Sequence, residues 1–472
     1  MTSQEGYLVG LDAGGGGGRA LVLSLADGAV TSAYRSWQHK PAPGTSGLGF
    51  DLDTEAVFES LAEACREALG RAGAEADRVI GVSATSMREG MVLLSGDEIV
   101  LATPNRDARA LSEGFGLAES HGERIYQISG RWPLPVFPAA RLLWLKSHAP
   151  EALARADSLL SISDWLLWRL SGERCSEPSQ ACESMLFDTA ACQWDEELID
   201  ELGLPSRLFP NIAPVGTSLG VLRAEAAEIF GLRAGTVVTL GGADSQSGLL
   251  GCGVVQAGQA GAITGTTSPV QIVADRPLLD PKRRTWTGNH VLPGMWTIES
   301  NAGFAGETLE WFARTLRPDH SRPVAWLFAE ASRSRPGAAG LMSTLGAEIM
   351  NSREPRMPLG HLSLSHMTTA DDGDRRAHLT RSVVEGMAFA LRANFEQAAE
   401  VAGTDPDCLH MAGGMTRSAF WRQLVSDVFG CRVEAAATAE ASPLGAAIAA
   451  AVGSGLFDDL VSASEALVPA AV

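Results

Sequence analysis

Asp12-Ala13-Gly14-Gly15-Gly16-Gly17-Gly18-Arg19 places a carboxylate at the end of an apolar run, five glycines after it, and then a cation. The run before it, Tyr7 to Asp12, reads as a strand. The run after it, Ala20-Leu21-Val22-Leu23-Ser24-Leu25 ahead of Asp27-Gly28, reads as a second strand, so the stretch predicts a strand, a glycine turn and a strand. Missing side chains let backbone N–H groups come close to an anion, which makes the turn a candidate phosphate cradle. No Gly-Lys-Ser/Thr follows, so it is not a Walker A loop, and the following strand excludes a dinucleotide fingerprint. A plain flexible hairpin would also explain the glycines.

Outward from this stretch, residues 54–72 space Phe58, Leu61, Ala62, Cys65, Ala68, Leu69 and Ala72 as one helical face. A strand follows at Val79 to Val82 and ends in Ser86-Met87-Arg88-Glu89-Gly90. The second half repeats the order. Val237 to Leu240 runs into Gly241-Gly242-Ala243-Asp244, and Gly261 to Thr267 forms a Gly/Thr turn before Val270 to Val273. A long amphipathic helix is then predicted over about 379–402, and a strand at Cys408 to Met411 ends in Gly413-Gly414. Two such halves predict an α/β fold of two lobes with a duplicated core, facing each other across a cleft, with a border between 1–245 and 246–472. Segments near 41–48, 276–282 and 351–360 read as loops too short to be disordered linkers.

The composition is that of a soluble globular chain: 472 residues, 45% hydrophobic and 20% charged. Lys and Arg total 37 against 56 Asp and Glu, a net charge of −19 that repels a phosphate backbone and argues against nucleic acid as a partner. No leader pattern or bilayer-length apolar run is present, which predicts a cytoplasmic protein. Seven cysteines without Cys-x-x-Cys spacing argue against a disulfide framework and against a zinc site.

Several segments carry chemistry. Asp244, at the carboxyl end of an apolar strand, can take a proton from a substrate hydroxyl; a helix cap is the alternative. Arg88-Glu89 and Asp107 with Arg109 are donor–acceptor pairs suited to a polyhydroxylated ligand, or ion pairs of the surface. Gly413-Gly414 through Ser418 leaves room for a flat ring against the backbone, or for close packing of the helix 420–429 on a sheet. Trp286, Trp296, Trp311 and Trp421 read as core or interface residues.

Taken in order, these segments resemble the FGGY carbohydrate kinases, a branch of the actin-like (ribonuclease H-like) ATPase fold. The resemblance covers nearly the whole chain: Asp12 to Arg19, Phe137 to Leu145, Ser163-Asp164-Trp165, Gly241 to Asp244, Thr264-Gly265-Thr266, Gly306 to Trp311, Glu385-Gly386, Gly413 to Gln423, and Leu444 to Ala447. It implies transfer of the ATP γ-phosphoryl group to a sugar or polyol hydroxyl, with Asp244 as general base and Asp12 holding Mg²⁺ through water. Gly14, Gly15, Gly16, Arg19, Gly265, Thr266, Gly306, Gly414 and Ser418 would hold the nucleotide; Arg88, Glu89, Asp107 and Asp244 would hold the substrate. Trp37-Gln38-His39, Ser86 to Gly90, Asp107 to Ala110 and Ile162 to Trp165 look most like the autoinducer-2 kinase branch, with a ketopentose as the other substrate class. The partner implied is a small molecule, with a homodimer left open.

Three departures stand out. Gly15 and Gly16 replace hydroxyl-bearing residues, a loss of about 0.5–1.5 kcal/mol per hydrogen bond. Asn105 stands where many relatives carry a sugar-site tryptophan, and the chain stops soon after Leu456-Phe457. The glycine run keeps open a nucleotide- or sugar-binding regulator of weakened catalysis; an actin-like or chaperone-like ATPase would not need Arg88 and Glu89 in this form.

Overall fold

The computed structural model describes residues 6–265, 267–346, 348–354, 362–367 and 374–471. Most of the predicted loop at 351–360 therefore lies outside the described residues, as does Thr266.

The first lobe is built on a six-stranded sheet of β1 (Tyr7–Gly14), β2 (Gly17–Ser24), β3 (Val30–Ser36), β4 (Val79–Ser86), β5 (Ser218–Val221) and β6 (Val237–Thr239), in the order β5-β6-β4-β1-β2-β3. β1, β2 and β3 are antiparallel neighbours, and β1, β4 and β6 run parallel. Parallel pairing needs a crossover, and helix α1 (Thr54–Ala72) provides it. Asp53 caps this helix by accepting from Ala56 N–H, and Gly73 ends it in the left-handed conformation. Helix α2 (Ile162–Ser171) opens with a capping box between Ser161 and Asp164 and packs near β4.

The second lobe repeats the plan with β7 (Ala260–Ile263), β8 (Pro269–Ala274), β9 (Trp286–Asn289), β10 (Trp296–Asn301), β11 (Cys408–Ala412) and β12 (Arg432–Ala435), in the order β9-β10-β8-β7-β11-β12. An antiparallel hairpin again leads the sheet, and β7, β11 and β12 run parallel. The predicted long helix spans Arg375–Ala402, and Val384, Met387, Leu391, Phe395 and Ala398 enter the core as the spacing requires.

Two helices join the lobes. α3 (Asp244–Gly251) follows β6, and α7 (Ala441–Gly453) follows β12; between them in the chain lie α4 (Ala305–Leu316), the long helix as α5, and α6 (Ala419–Phe429). α7 lies across the first lobe's β1, where a Cβ on Gly10 would strike Pro443 O. α3 lies against the second lobe's β7, where a Cβ on Gly261 would strike Leu249. The helices also touch each other: a Cβ on Gly251 would strike Ala441 O, and one on Gly445 would strike Ser247 O. Around this crossing Leu8, Leu21, Leu23, Leu250, Leu444 and Ile448 form one buried cluster. Each such side chain contributes about 1.5–3 kcal/mol.

The glycine run differs from its expected form. The turn is only Gly15-Gly16, because Gly14 closes β1 and Gly17 opens β2. None of Gly14 to Gly18 has a positive φ. Gly17 and Gly18 are glycine for lack of space: Tyr34 occupies the side-chain position of the first, and Leu61 and Trp37 lie 2.6 and 2.7 Å from a Cβ on the second. Among the four tryptophans, Trp421 is fully buried and Trp296 nearly so, but Trp311 is 57% exposed, because it lies on the outer face of α4.

The helix crossing makes a measurable claim. Gly445→Ala gains about 1 kcal/mol of helix propensity, but its Cβ meets immovable backbone, and overpacking of this kind loses about 1–3 kcal/mol. We expect net destabilisation in urea unfolding. Gly70→Ala in α1, with nothing near its Cβ, should stabilise by about 0.5–1 kcal/mol. Equal effects from the two would show slack at the crossing.

Candidate active site

The parallel strands of the first sheet end together, and their tips carry the predicted side chains. Asp12 on β1 lies in register with Thr85 on β4 and with Arg19 on β2. Ser86 bridges to Ala243, which places the Arg88-Glu89 tip beside Asp244. Open α/β sheets collect ligand-contacting residues at this edge. A buried polar network fixes the tips. Met87 N–H donates to Ala13 O (2.9 Å), and Thr85 Oγ1 to Gly242 O (2.6 Å). Gln180 Nε2 donates to Ser86 Oγ (3.0 Å), and Ala243 N–H to Ser179 Oγ (2.9 Å).

Asp12, Glu89 and Asp244 form one electrostatic group. Burial pushes the Asp12 carboxyl up to about 7; Arg19 opposes the shift, while Asp244 and Glu440 add to it. Its Oδ1 is buried without a partner among the described residues, and Arg19 Nη1 stands 3.9 Å from Oδ2. Burial likewise raises Glu89 to about 8 against the pull of Arg88, with Glu183 and Asp244 adding to it. Asp244 is raised by burial, with Arg88 opposing. Asp244 does not cap its helix: Ala243 holds the cap position, and Asp244 begins the first turn, accepting from Ser245 N–H at 2.7 Å. Glu89 has φ 60°, a left-handed conformation that stores about 1–3 kcal/mol of strain in a non-glycine residue.

Arg88 reaches into the second lobe. Its Nη1 and Nη2 donate to Glu299 Oε2 (2.6 Å) and Oε1 (3.0 Å) on β10, with Glu183 Oε1 at 3.7 Å. Burial alone would favour its neutral form, but Glu299, Glu183 and Glu89 outweigh that and hold its pKa well above the ordinary value. Glu183 in turn pairs with Arg131 at 2.6 Å. Sequence reasoning missed Glu299, Glu183 and Arg131; a lone charge in a largely uncharged stretch was the available signal for Glu299 and Arg131, and Glu183 carried none.

Asp107 is not brought into this group. It is fully buried, its carboxylate taken by Arg109 Nε (2.9 Å) and by Phe50 N–H (2.8 Å). It stands 3.8 Å from Arg141 Nε, and Arg141 donates to the backbone oxygen of Glu89. These contacts tie Asp107 to the Arg109 and Arg141 guanidiniums behind the Glu89 tip.

Most of the nucleotide-binding candidates lie at the turns and helix starts that follow strands. At Gly16, Gly265 and Gly414 a Cβ would meet nothing within 4 Å, whereas at Gly15 it would meet Asn105 Oδ1 at 3.3 Å. Gly14 closes β1 beside them. Thr264 N–H donates to Ala412 O (2.8 Å), and Gly413, at φ 102°, leaves no room for a Cβ against Thr264 O. The Gly265 turn and the Gly414 turn are thereby locked together. Gly306 lies in the first turn of α4, half-buried, just beyond Ala302, whose N–H donates to Ser268 O. Ser418 caps α6 by accepting from Trp421 N–H at 3.3 Å. Thr266 lies outside the described residues. A pocket of about 330 Å³ opens beside these turns, lined by Thr416, Arg417, Arg422 and residues 435–439; the last five were not foreseen. Glu440 ties the two lobes at this point, with Arg19 Nε at 2.7 Å and Arg417 Nη2 at 3.4 Å.

Comparison with known proteins identifies the family and the fold. Residues 7–251 match the N-terminal domain, and residues 260–454 the C-terminal domain, of the FGGY family of carbohydrate kinases. Autoinducer-2 kinase of Escherichia coli (strain K12) is 34% identical over 484 residues, which cover 99% of this chain and 90% of that one. Autoinducer-2 kinase of Salmonella paratyphi B is 34% identical over 482 residues, with the same coverage. Among solved structures, a xylulose kinase from Rhodospirillum rubrum superposes with a TM-score of 0.80 at 25% identity, covering 99% of this chain and 94% of that one. A xyloylose kinase from Brucella ovis superposes at 0.83 with 22% identity, covering 99% and 93%. Among the described residues no helix is long and apolar enough to cross a membrane.

Asp12 and Glu89 predict a pH dependence. Their folded pKa values, about 7 and about 8, lie above the ordinary values of 3.8 and 4.5, so the native state holds protons that the unfolded chain has released. The stability they contribute is complete below about pH 4 and is lost as pH rises through 7 and 8. Asp12→Asn should flatten the Asp12 part of that fall, from about pH 4 to 7, in urea unfolding followed against pH. An unchanged slope would mean that Asp12 is ionised throughout.

Proposed function

The chain belongs to the FGGY family of carbohydrate kinases and is a sugar kinase; on that premise we propose that it passes the γ-phosphoryl group of ATP to a hydroxyl of autoinducer-2, or failing that of a ketopentose. The observation that carries the mechanism is the convergence of Asp12, Glu89, Asp244 and Arg88 at one set of strand tips, between the two lobes.

In this reading Asp244 takes the proton from the attacking hydroxyl, and burial, by raising its pKa, brings it closer to the acidity such a base needs. Arg88 and Glu89 grip neighbouring substrate oxygens, with Arg88 held in one rotamer by Glu299. Asp12, with a buried and unpartnered Oδ1, suits the water shell of Mg²⁺, which when bound neutralises charge on the phosphate oxygens. Gly14, Gly15, Gly16, Gly265, Thr266 and Gly306 with Arg19 take the phosphates, the open space at Gly16 and Gly265 allowing close approach to the backbone. Gly414 and Ser418 border the pocket that receives the base and ribose. Closure of the lobes keeps water from acting as acceptor. The border between lobes falls at 245/246, in the first turn of α3.

The substrate reading rests on the 34% identity to autoinducer-2 kinases and on Asn105, which packs against the Gly15 turn in place of a tryptophan. A regulator without catalysis draws no support, since a binder has no use for Asp244 at this position.

ADP release with Mg²⁺ and ATP should rise above the ATP-only rate for the autoinducer-2 precursor in a panel with xylulose, ribulose, glycerol and erythritol. Turnover on a ketopentose alone would replace the substrate, and silence on all five would overturn the kinase reading of the cleft. Asp244→Asn should keep nucleotide affinity and lower kcat about a hundredfold or more; retained turnover would remove Asp244 as base. Gly16→Thr needs nothing to move and should lower the nucleotide KM. Gly15→Thr should do so less, because Asn105 must yield. Unchanged KM and kcat in both would mean that the missing hydroxyls are irrelevant.

A further inference from the structure

We propose that Cys408, His410 and Glu434 form a binding site for a zinc-class divalent cation on the second sheet, apart from the kinase cleft. Cys408 and His410 are alternate residues of β11, so both side chains leave the same face, while Leu409 and Met411 leave the other and enter the core. Glu434 on β12 stands in register with His410. One sulfur, one imidazole nitrogen and one carboxylate oxygen lie within 4.8 Å of one another, with His410 Nδ1 to Glu434 Oε2 at 3.5 Å.

Three donors of these kinds suit zinc, which takes thiolate at about 2.3 Å and imidazole or carboxylate at about 2.0–2.2 Å. Magnesium, a hard cation that keeps to oxygen, does not take sulfur. The ladder holds the two backbones fixed, so side-chain rotation alone must close the donors onto an ion. Cys408 is buried, and His410 and Glu434 are half-buried, so the site is shielded yet reachable. Arg432, the register partner of Cys408, pairs with Glu434 at 3.2 Å and hydrogen-bonds the Cys408 sulfur; its side chain is 68% exposed and must turn to solvent for an ion to enter. Water would complete the fourth position of a tetrahedral ion.

The placement gives the site a consequence. β11 runs on to the Gly413-Gly414 turn, and β12 runs on to residues 435–439, which line the 330 Å³ pocket. A cation across the two strands would add a side-chain tie to the register that the ladder sets and that the pocket shares.

The probe is Co²⁺, added to chelator-treated full-length protein and then displaced by Zn²⁺. Visible cobalt bands with a thiolate charge-transfer component should grow to a single equivalent and vanish as zinc is added. Cys408→Ser should abolish the charge-transfer component. His410→Gln and Glu434→Gln, which keep the sulfur, should weaken binding by at least about tenfold. Cys175→Ser should leave the spectrum as it is. Absence of bands, bands that persist in Cys408→Ser, or bands lost in Cys175→Ser would each overturn the site.

Discussion

Two helices cross with no side-chain atoms between their backbones, and the arrangement of the lobes follows from that contact. Gly251 against Ala441, Gly445 against Ser247, and Gly10 against Pro443 are places where one methyl group cannot be fitted. α3 leaves the first sheet to cover the central strand of the second, and α7 leaves the second to cover the central strand of the first. The strand tips feeding these helices carry Asp244 on one side and Glu440 on the other, so the crossing sets where chemistry and nucleotide candidates stand relative to each other.

Around that crossing the charge is concentrated. Arg88 and Glu299 come from different lobes and meet as a buried fork, and Arg19, Glu440 and Arg417 form a second, more exposed link. A buried pair of this kind adds little stability over an apolar pair, because desolvation offsets attraction, but removal of one partner leaves the other stranded. Its value is in direction: Glu299 fixes where Arg88 points, while Asp12, Glu89 and Asp244 remain under mutual repulsion in a poorly hydrated space. Such a group is ready to accept cations and hydroxyl protons.

Most of the fold was legible because it is written in local periodicity. Strand runs at 7–12, 79–82 and 408–411, the 3.6-residue face of α5, and the repeated order of elements all survive in the structure. Strand tips were legible too, since a carboxylate or glycine at the end of an apolar run is conspicuous: Asp12, Arg88, Glu89 and Asp244 came together as read. Pairings over long separations were not legible. Glu299 lies 211 residues from Arg88, and no local pattern announces such a partner. Asp107 is a related case: its pairing with Arg109 is local and legible, but Phe50 N–H, contributed from far upstream, is a partner no local pattern announces. The glycine run was misjudged for a related reason, as Tyr34, Trp37 and Leu61 occupy the space that makes Gly17 and Gly18 necessary. Counting cysteine spacings likewise passed over Cys408, whose neighbours are an alternate residue on its own strand and one on the next.

The exchange of covering helices also has a meaning in time. β1 leaves the ribosome with Leu8, and β2 follows with Leu21 and Leu23, but the helix that buries them begins at Ala441. At bacterial-to-eukaryotic synthesis rates, roughly 430 further residues take roughly 20–90 s. Throughout that interval the nascent first lobe presents an apolar sheet face whose covering helix, at the end of its own chain, has not yet been made. A chain of this design therefore depends during synthesis on whatever keeps that face from other surfaces.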